Sequence, residues 1–130
     1  MLFRSTNDAE IYLVAQIVGL EAGGTGVEGM TAVAEVIRNR VMSPLFPNTA
    51  TGVVAAPGQF TTYAMIDSYV PTAEQISIVT QVMNGELSVL NNSDCLYFCS
   101  KGFYESQGIH DGFWGNMSLI AEYGNCFFVP

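Results

Sequence analysis

Glu21 is the residue whose setting in this sequence best suits chemistry. It lies in the stretch "QIVGLEAGG", residues 16–24, where an apolar helix runs into a carboxylate and then into two glycines. At about 100° per residue, Glu21 falls between Val14 and Ile17, on the apolar side of this helix. Desolvation and the negative end of the helix dipole both disfavour its charged form. A carboxyl that keeps its proton near neutral pH is what a general acid requires.

The sequence around Glu21 supports two interpretations. Gly23 and Gly24 leave open space beside the carboxyl, which would let a bulky substrate approach. In the other interpretation, Glu21 lies at a frayed helix end and bends into water. The periodicity taken alone favours this second interpretation.

The other acidic residues have simpler structural explanations. Glu28 has the spacing of a capping-box partner for Thr25. Glu35 lies opposite the apolar stripe of its helix, where it would pair with Arg38 or Asn39 on a solvated face. Three more carboxylates occupy first helical turns, where the dipole favours an anion: Asp8, Glu10 and Glu74. No second carboxylate has a setting comparable to that of Glu21.

Capping signals and apolar periodicity predict the elements that position these residues. The predicted helices are 8–22, opened by Asn7 and Glu10; from Thr25 to about 42; and about 73–84, opened by Thr72 and Gln75. We expect a helical turn near 51–55, β character in "QFTTY" and short strands at "CLYFC" (95–99) and "CFFV" (126–129). The chain is thus predicted to be one α+β domain over residues 1–130, mostly helical, with a small late sheet.

The composition argues against several classes of partner. The 130 residues are 49% hydrophobic and 12% charged, with a net charge of −8. Lysine and arginine do not cluster as phosphate neutralisation requires, so we expect no nucleic-acid partner. No apolar run approaches the ~18–20 residues of a membrane span. The N-terminus has no recognisable signal peptide, which leaves the route of delivery open.

The three cysteines leave the redox state open. An odd number allows one disulfide and a free thiol, or three buried thiols. Cys95 and Cys99 share a face of a regular strand but lie too far apart to bridge readily. A cysteine peptidase using Cys126 or Cys95 with His110 is a rival interpretation, but neither thiol lies at a helix start that would lower its pKa. Because one His and three scattered Cys lack ligand spacing, we expect no metal and no cofactor.

Five stretches of the chain occur in an order and spacing that match one known family. They are "DAEIYLVAQIVGLEAGGTGVEGMTAVAEVIRNRVMSPLFPNT", "GVVAAPGQF", "PTAEQISIVTQVMNGE", the "LYF" of residues 96–98 and "YGNCFFV". Together they cover nearly the whole chain. The sequence resembles the SleB/CwlJ-type cell wall hydrolases, the spore cortex-lytic enzyme family.

The resemblance implies a lysozyme- or lytic-transglycosylase-like fold that cuts peptidoglycan between N-acetylmuramic acid and N-acetylglucosamine, in the cell wall, the spore cortex or outside the cell. The family's essential glutamate matches Glu21 in "LEA". As a lytic transglycosylase it would protonate the glycosidic oxygen and then accept a proton from the muramyl 6-hydroxyl. A muramidase-type hydrolase is the alternative. Ordinary glycosidases need a second carboxylate ~5–5.5 or ~6.5–9.5 Å away, so the lack of a comparable one favours the transglycosylase.

The resemblance also implies three substrate-binding residues. Gln59 offers an amide for hydrogen bonds to sugar or peptide, Phe60 offers a ring for a sugar face, and Tyr97 is a similar candidate. Each has a structural alternative, since "QF" also suits a turn and Tyr97 also suits a core. Asn39 and Arg40 match family positions too, but their place at a helix end indicates a structural role.

One position departs from the family pattern. Cys126 stands in "YGNCFFV" where histidine is usual. If that histidine contributes to the site, the chain must manage without it, which favours the alternative of a non-catalytic peptidoglycan-binding module; Glu21 argues against that alternative. If it belongs to the scaffold, cysteine replaces it as a small apolar residue. Trp114 suits sugar stacking and core packing equally.

Overall fold

The computed structural model describes residues 6–107 and 115–130. Its elements are α1 (Asp8–Ala22), α2 (Gly26–Met42), α3 (Ala50–Ala55), a 3₁₀ helix η1 (Thr61–Ser68), α4 (Ala73–Met83), β1 (Tyr97–Ser100), α5 (Lys101–Gln107), β2 (Ser118–Tyr123) and β3 (Asn125–Val129). The predicted α+β class, mostly helical with a small late sheet, is confirmed.

Helix α1 has the bounds that its capping signal predicts. The Asn7 side chain accepts a hydrogen bond from Glu10 N at 2.9 Å. The Glu10 side chain bonds to α3: its Oε2 accepts hydrogen bonds from Thr51 N at 3.2 Å and from Thr51 Oγ1 at 3.1 Å. Glu10 is therefore buried and ties α1 to α3.

Helix α2 is the central helix of the fold. It packs against α1, α3 and α4 and also touches the sheet. The predicted capping box at its start is wrong, because Thr25 Oγ1 donates to Ala22 O at 2.7 Å instead of accepting from α2. No helix in the described part of the chain is long and apolar enough to cross a membrane.

Glu35 corrects a prediction. It was expected on a solvated face but is buried on α2. Its carboxylate accepts hydrogen bonds from Val89 N at 2.8 Å, Leu90 N at 2.9 Å and the Ser88 hydroxyl. These donors satisfy the buried charge and fix the loop after α4 on the central helix.

The α4 capping box is confirmed. Thr72 Oγ1 accepts from Gln75 N at 3.1 Å, and Gln75 Oε1 accepts from Thr72 N at 3.0 Å. In contrast, the β character predicted for "QFTTY" is wrong, because residues from Thr61 onward form η1.

The sheet has the strand order β1-β3-β2, with both pairings antiparallel. Its central strand, β3, places Phe127 in the main core, where the ring stacks against Phe98 of β1. The two predicted strands are found at β1 and β3, whereas β2 and α5 had no predicted counterpart.

Candidate active site

Glu21 lies on the last full turn of α1 and is half-buried. Its backbone carbonyl accepts a 3.5 Å hydrogen bond from Nδ2 of Asn125, the first residue of β3. Asn125 is itself buried, so the end of α1 is fastened to the start of the central strand. This contact holds the backbone of Glu21 through its carbonyl group.

The turn after Glu21 is open. Gly23 and Gly24 are both exposed. A side-chain carbon placed on Gly24 would meet nothing within 4 Å. A side-chain carbon on Gly23 would instead overlap Gly19 O at 2.5 Å, so the open space lies at Gly24. The open approach to the carboxyl stays a prediction.

A tyrosine and a glutamine support the helix beneath Glu21. The Tyr69 ring lies so close to Gly19 that any side chain there would overlap it. Tyr69 OH donates to Gln75 Oε1 at 2.9 Å, and Gln75 is buried. Sequence reasoning assigned Gln75 only to a helix cap and did not single out Tyr69. The available signal was Gly19, a glycine inside a helix, which marks a close approach.

A second cluster surrounds Arg40, near the end of α2. Its guanidinium donates from Nε to Leu96 O at 2.8 Å and from Nη1 to Gln59 Oε1 at 3.3 Å. Its Cζ lies 4.9, 5.4 and 5.7 Å from the ring centroids of Phe46, Phe60 and Tyr97. Arg40 is only 5% exposed. Burial lowers the pKa of Arg40, but a guanidinium remains protonated in proteins, so the cluster holds a permanent cation.

Part of this cluster lines a surface pocket of about 540 Å³. The lining residues are Arg40, Leu45, Phe46, Gly58, Gln59, Tyr97 and Phe98. Gln59 and Tyr97, two of the residues predicted to bind substrate, therefore share one pocket. Gln59 is exposed and Tyr97 is half-buried.

Phe60 differs from its predicted role. Only 6% of its surface is exposed, and its ring lies 6.1 Å from that of Phe98. A buried ring between Phe98 and Arg40 has no free face for a sugar. Phe60 instead supports the Arg40 side chain from the core side.

Glu21 and the Arg40 pocket lie near opposite ends of α2. Gly26 begins α2 shortly after Glu21, and at 1.5 Å per residue Arg40 follows about 21 Å further along the helix axis. The structure thus brings Gln59, Phe60 and Tyr97 together, but it places Glu21 at a separate position.

The remaining candidates have structural surroundings or fall outside the described residues. Asn39 Nδ2 donates to Asn92 O at 3.0 Å and Cys95 O at 2.9 Å, a structural role as predicted. His110 and Trp114 lie outside the described residues. Burial raises the pKa of Cys95 to about 11, which disfavours a nucleophilic thiolate. Within residues 6–107 and 115–130, no group of three or more His, Cys, Asp or Glu could hold a metal ion.

Comparisons with known sequences give the family. A profile described as Cell Wall Hydrolase matches residues 24–129, so the match begins three residues after Glu21. The spore cortex-lytic enzyme of Bacillus subtilis is 44% identical over 82 residues, which are 62% of this chain and 26% of that protein. The spore cortex-lytic enzyme of Bacillus cereus is 42% identical over 82 residues, 62% of this chain and 31% of that protein. The chain therefore spans between 26% and 31% of these two relatives.

Solved structures show the same fold. The catalytic domain of Bacillus cereus SleB matches with a TM-score of 0.76 at 29% identity, covering 96% of this chain and 92% of that one. The catalytic domain of the germination-specific lytic transglycosylase SleB from Bacillus anthracis matches with a TM-score of 0.78 at 28% identity, covering 99% of this chain and 100% of that one. The chain described here therefore belongs to the cell wall hydrolase family of enzymes.

Proposed function

We propose that this chain cleaves peptidoglycan glycan strands between N-acetylmuramic acid and N-acetylglucosamine as a lytic transglycosylase, with Glu21 as its general acid and base. One observation carries the proposal: half-buried Glu21 ends α1 beside the exposed Gly23 and Gly24. It does so in a fold shared with a domain named as a germination-specific lytic transglycosylase. The proposed place of action is the cell wall or the spore cortex.

A single carboxyl suffices for the proposed reaction. Protonated Glu21 gives its proton to the glycosidic oxygen as the bond to the muramyl anomeric carbon breaks. The resulting carboxylate then accepts the proton of the muramyl 6-hydroxyl, whose oxygen bonds to the anomeric carbon and closes the anhydro ring. The two transfers balance, so Glu21 is again protonated at the end of the cycle and no water is consumed.

The Arg40 pocket is the proposed binding site for a more distant part of the glycan strand. Because a guanidinium only donates hydrogen bonds, Arg40 requires the Gln59 amide to present its oxygen inward. The Gln59 NH₂ group is therefore left as a donor that a ligand could use. It suits a carbonyl acceptor such as the oxygen of an N-acetyl group, while Tyr97 contributes part of an aromatic wall.

Digestion of peptidoglycan by matched variants tests the role of Glu21. We expect Glu21→Gln to lose at least about a hundredfold in rate, because the amide cannot transfer the proton. Its melting temperature should stay near that of the wild type, since the change is isosteric. Glu28→Gln is the control: Glu28 is an exposed acid on the neighbouring helix, and its substitution should leave the rate unchanged.

Mass spectrometry of the products separates the alternatives. Anhydromuramic ends support the transglycosylase, whereas reducing ends would establish a muramidase. Intact glycan from folded wild-type protein would leave a binding module, and free peptide stems would point to a peptidase. Digesting spore cortex and vegetative wall side by side identifies the preferred substrate. Retained turnover in Glu21→Gln would contradict the assignment of the acid.

A further inference from the structure

Two of the three cysteines face each other across the sheet. In the antiparallel pairing of β1 with β3, Cys99 lies directly opposite Cys126. Residues in such a position have Cα atoms about 4.5 or 5.5 Å apart, depending on the pair type, and side chains on the same face. A disulfide needs a Cα separation of about 4.4–6.8 Å, so the strand pairing itself supplies the required spacing.

The pair lies on the face of the sheet away from the main core. Phe127 points into the core, so Cys126 and Phe128, its neighbours in β3, point the other way. Helix α5 packs on β1 and β3, and its Tyr104 ring lies 5.7 Å from that of Phe128. Cys126 is fully buried there, whereas Cys99 is half-buried and open to a reagent.

Charged groups surround the pair from the neighbouring elements. Glu122 of β2 lies opposite Cys126, and its carboxylate forms a 2.9 Å ion pair with Lys101 of α5. Because Lys101 follows β1 and Glu122 belongs to β2, this ion pair spans the central strand. Both side chains are largely exposed, so the ion pair adds charge near Cys126 and little stability.

Cys95 is separate from this pair. It precedes β1 and is buried in the main core, with its Sγ 3.9 Å from Tyr97 O. It is therefore the odd thiol of the three. The structure holds all three cysteines as free thiols and so describes the reduced form.

We propose that Cys99 and Cys126 are the site of a cross-strand disulfide that locks β1 to β3. With a low-molecular-weight disulfide such as oxidised glutathione, the Cys99 thiolate attacks one sulfur and releases a first glutathione. The Cys126 thiolate then attacks the Cys99 sulfur and releases the second. Two thiols lose two protons and two electrons, and one glutathione disulfide becomes two glutathione thiols.

The reaction should be faster at alkaline pH. Burial, and next the neighbouring Cys126, raise the pKa of the Cys99 thiol to about 11. Burial also raises the pKa of Cys126, with Glu122 and Glu105 adding to the effect and Lys101 opposing it. The thiolate is the attacking species, and its fraction grows about tenfold per pH unit below the pKa. Oxidation at pH 9 should therefore be about a hundredfold faster than at pH 7.

Peptide mapping of the whole chain tests the proposal. The protein is treated at pH 9 with oxidised glutathione or with dithiothreitol, unfolded, alkylated with iodoacetamide and digested with chymotrypsin. Cleavage after Tyr97 or Phe98 separates Cys95 from Cys99. After oxidation we expect one linked peptide pair containing Cys99 and Cys126, with Cys95 alkylated. The oxidised form should also melt about 5–10 °C above the reduced form. The bridge ties Cys99 to Cys126 and so restricts the unfolded chain between them.

Substitutions of single cysteines show which thiols form the bridge. Cys99→Ser should abolish the linked peptides and make the melting temperature independent of the redox reagent. Cys95→Ser should keep both the link and the shift, and Cys126→Ala offers a second way to remove the bridge. Three alkylated cysteines after oxidation, a bridge that includes Cys95, or glutathione that stays attached to Cys99 would each overturn the proposal.

Discussion

Arg40 joins three separate parts of the chain through one guanidinium. Its Nε group donates to the backbone of Leu96 just before β1, its Nη1 group donates to Gln59 after α3, and its plane lies among aromatic rings. These contacts need a flat group with several donors in fixed directions. A lysine ammonium carries the same charge without that geometry.

We therefore expect Arg40→Lys to lower the free energy of unfolding by about 1–3 kcal/mol, because the buried Leu96 carbonyl loses its donor. Chemical denaturation measures this loss. Glu28→Gln on the same helix is the control: Glu28 is exposed, so this change should alter stability by less than about 0.5 kcal/mol. Equal stability of Arg40→Lys and the wild type would show that the guanidinium geometry does not matter.

At the scale of elements, the loop after α4 depends on one carboxylate of α2. Glu35 receives two backbone amides and one hydroxyl from residues 88–90. In Glu35→Gln, one carboxylate oxygen becomes an NH₂ group, which cannot accept a hydrogen bond from the amides and the hydroxyl that surround it. Glu35→Gln should therefore destabilise the protein by about 1–3 kcal/mol, although the side chain keeps its shape.

Thermal or denaturant unfolding measures the effect of Glu35→Gln. The control is Glu28→Gln, the same change on an exposed position of the same helix, which should stay within about 0.5 kcal/mol of the wild type. If both variants unfold alike, the contacts of Glu35 contribute nothing to stability.

The same elements show what the sequence could and could not reveal. The caps of α1 and α4 act within three residues of the helix start, so Asn7 and Thr72 predict those helices correctly. The partners of Glu35 lie 53 to 55 residues away, and local spacing therefore assigned it to solvent. Among residues 6–107 and 115–130, strand β2 pairs only with β3, so its pattern of exposed and half-buried residues could be interpreted only once β3 was in place.

The candidate site divides in the same way. The helix pattern alone favoured a solvent-exposed Glu21, and the family resemblance made it the candidate acid. Gln59 and Tyr97 are candidates from the resemblance, and their arrangement required the fold. The sequence pattern did not indicate that Arg40, which is 19 residues before Gln59, bonds to it directly. It also gave no sign that α2 separates Glu21 from this pocket.

At the scale of the whole molecule, the distance between Glu21 and the Arg40 pocket predicts a dependence on substrate length. A glycan strand must extend over several sugars to reach both, because α2 covers about 21 Å between its start and Arg40. We expect Gln59→Ala to raise KM on long glycan strands several-fold while leaving turnover of short fragments unchanged. The loss follows from removing a contact that only long strands make.

Kinetics on size-fractionated glycan strands test this dependence. Glu28→Gln again serves as the control, since it should behave like the wild type at every length. An equal effect of Gln59→Ala on short and long strands would place the Arg40 pocket beside the reacting bond. No effect at any length would remove the pocket from substrate binding.

The hydrogen bond between Asn125 and the Glu21 carbonyl joins residues 104 positions apart in the chain. A ribosome adding about 5–20 residues per second needs roughly 5–20 s to make that stretch. The helix bearing the acid is therefore made well before the strand that fastens it. During synthesis the end of α1 therefore exists without its contact to Asn125, and the backbone of Glu21 is fastened only after β3 has been made.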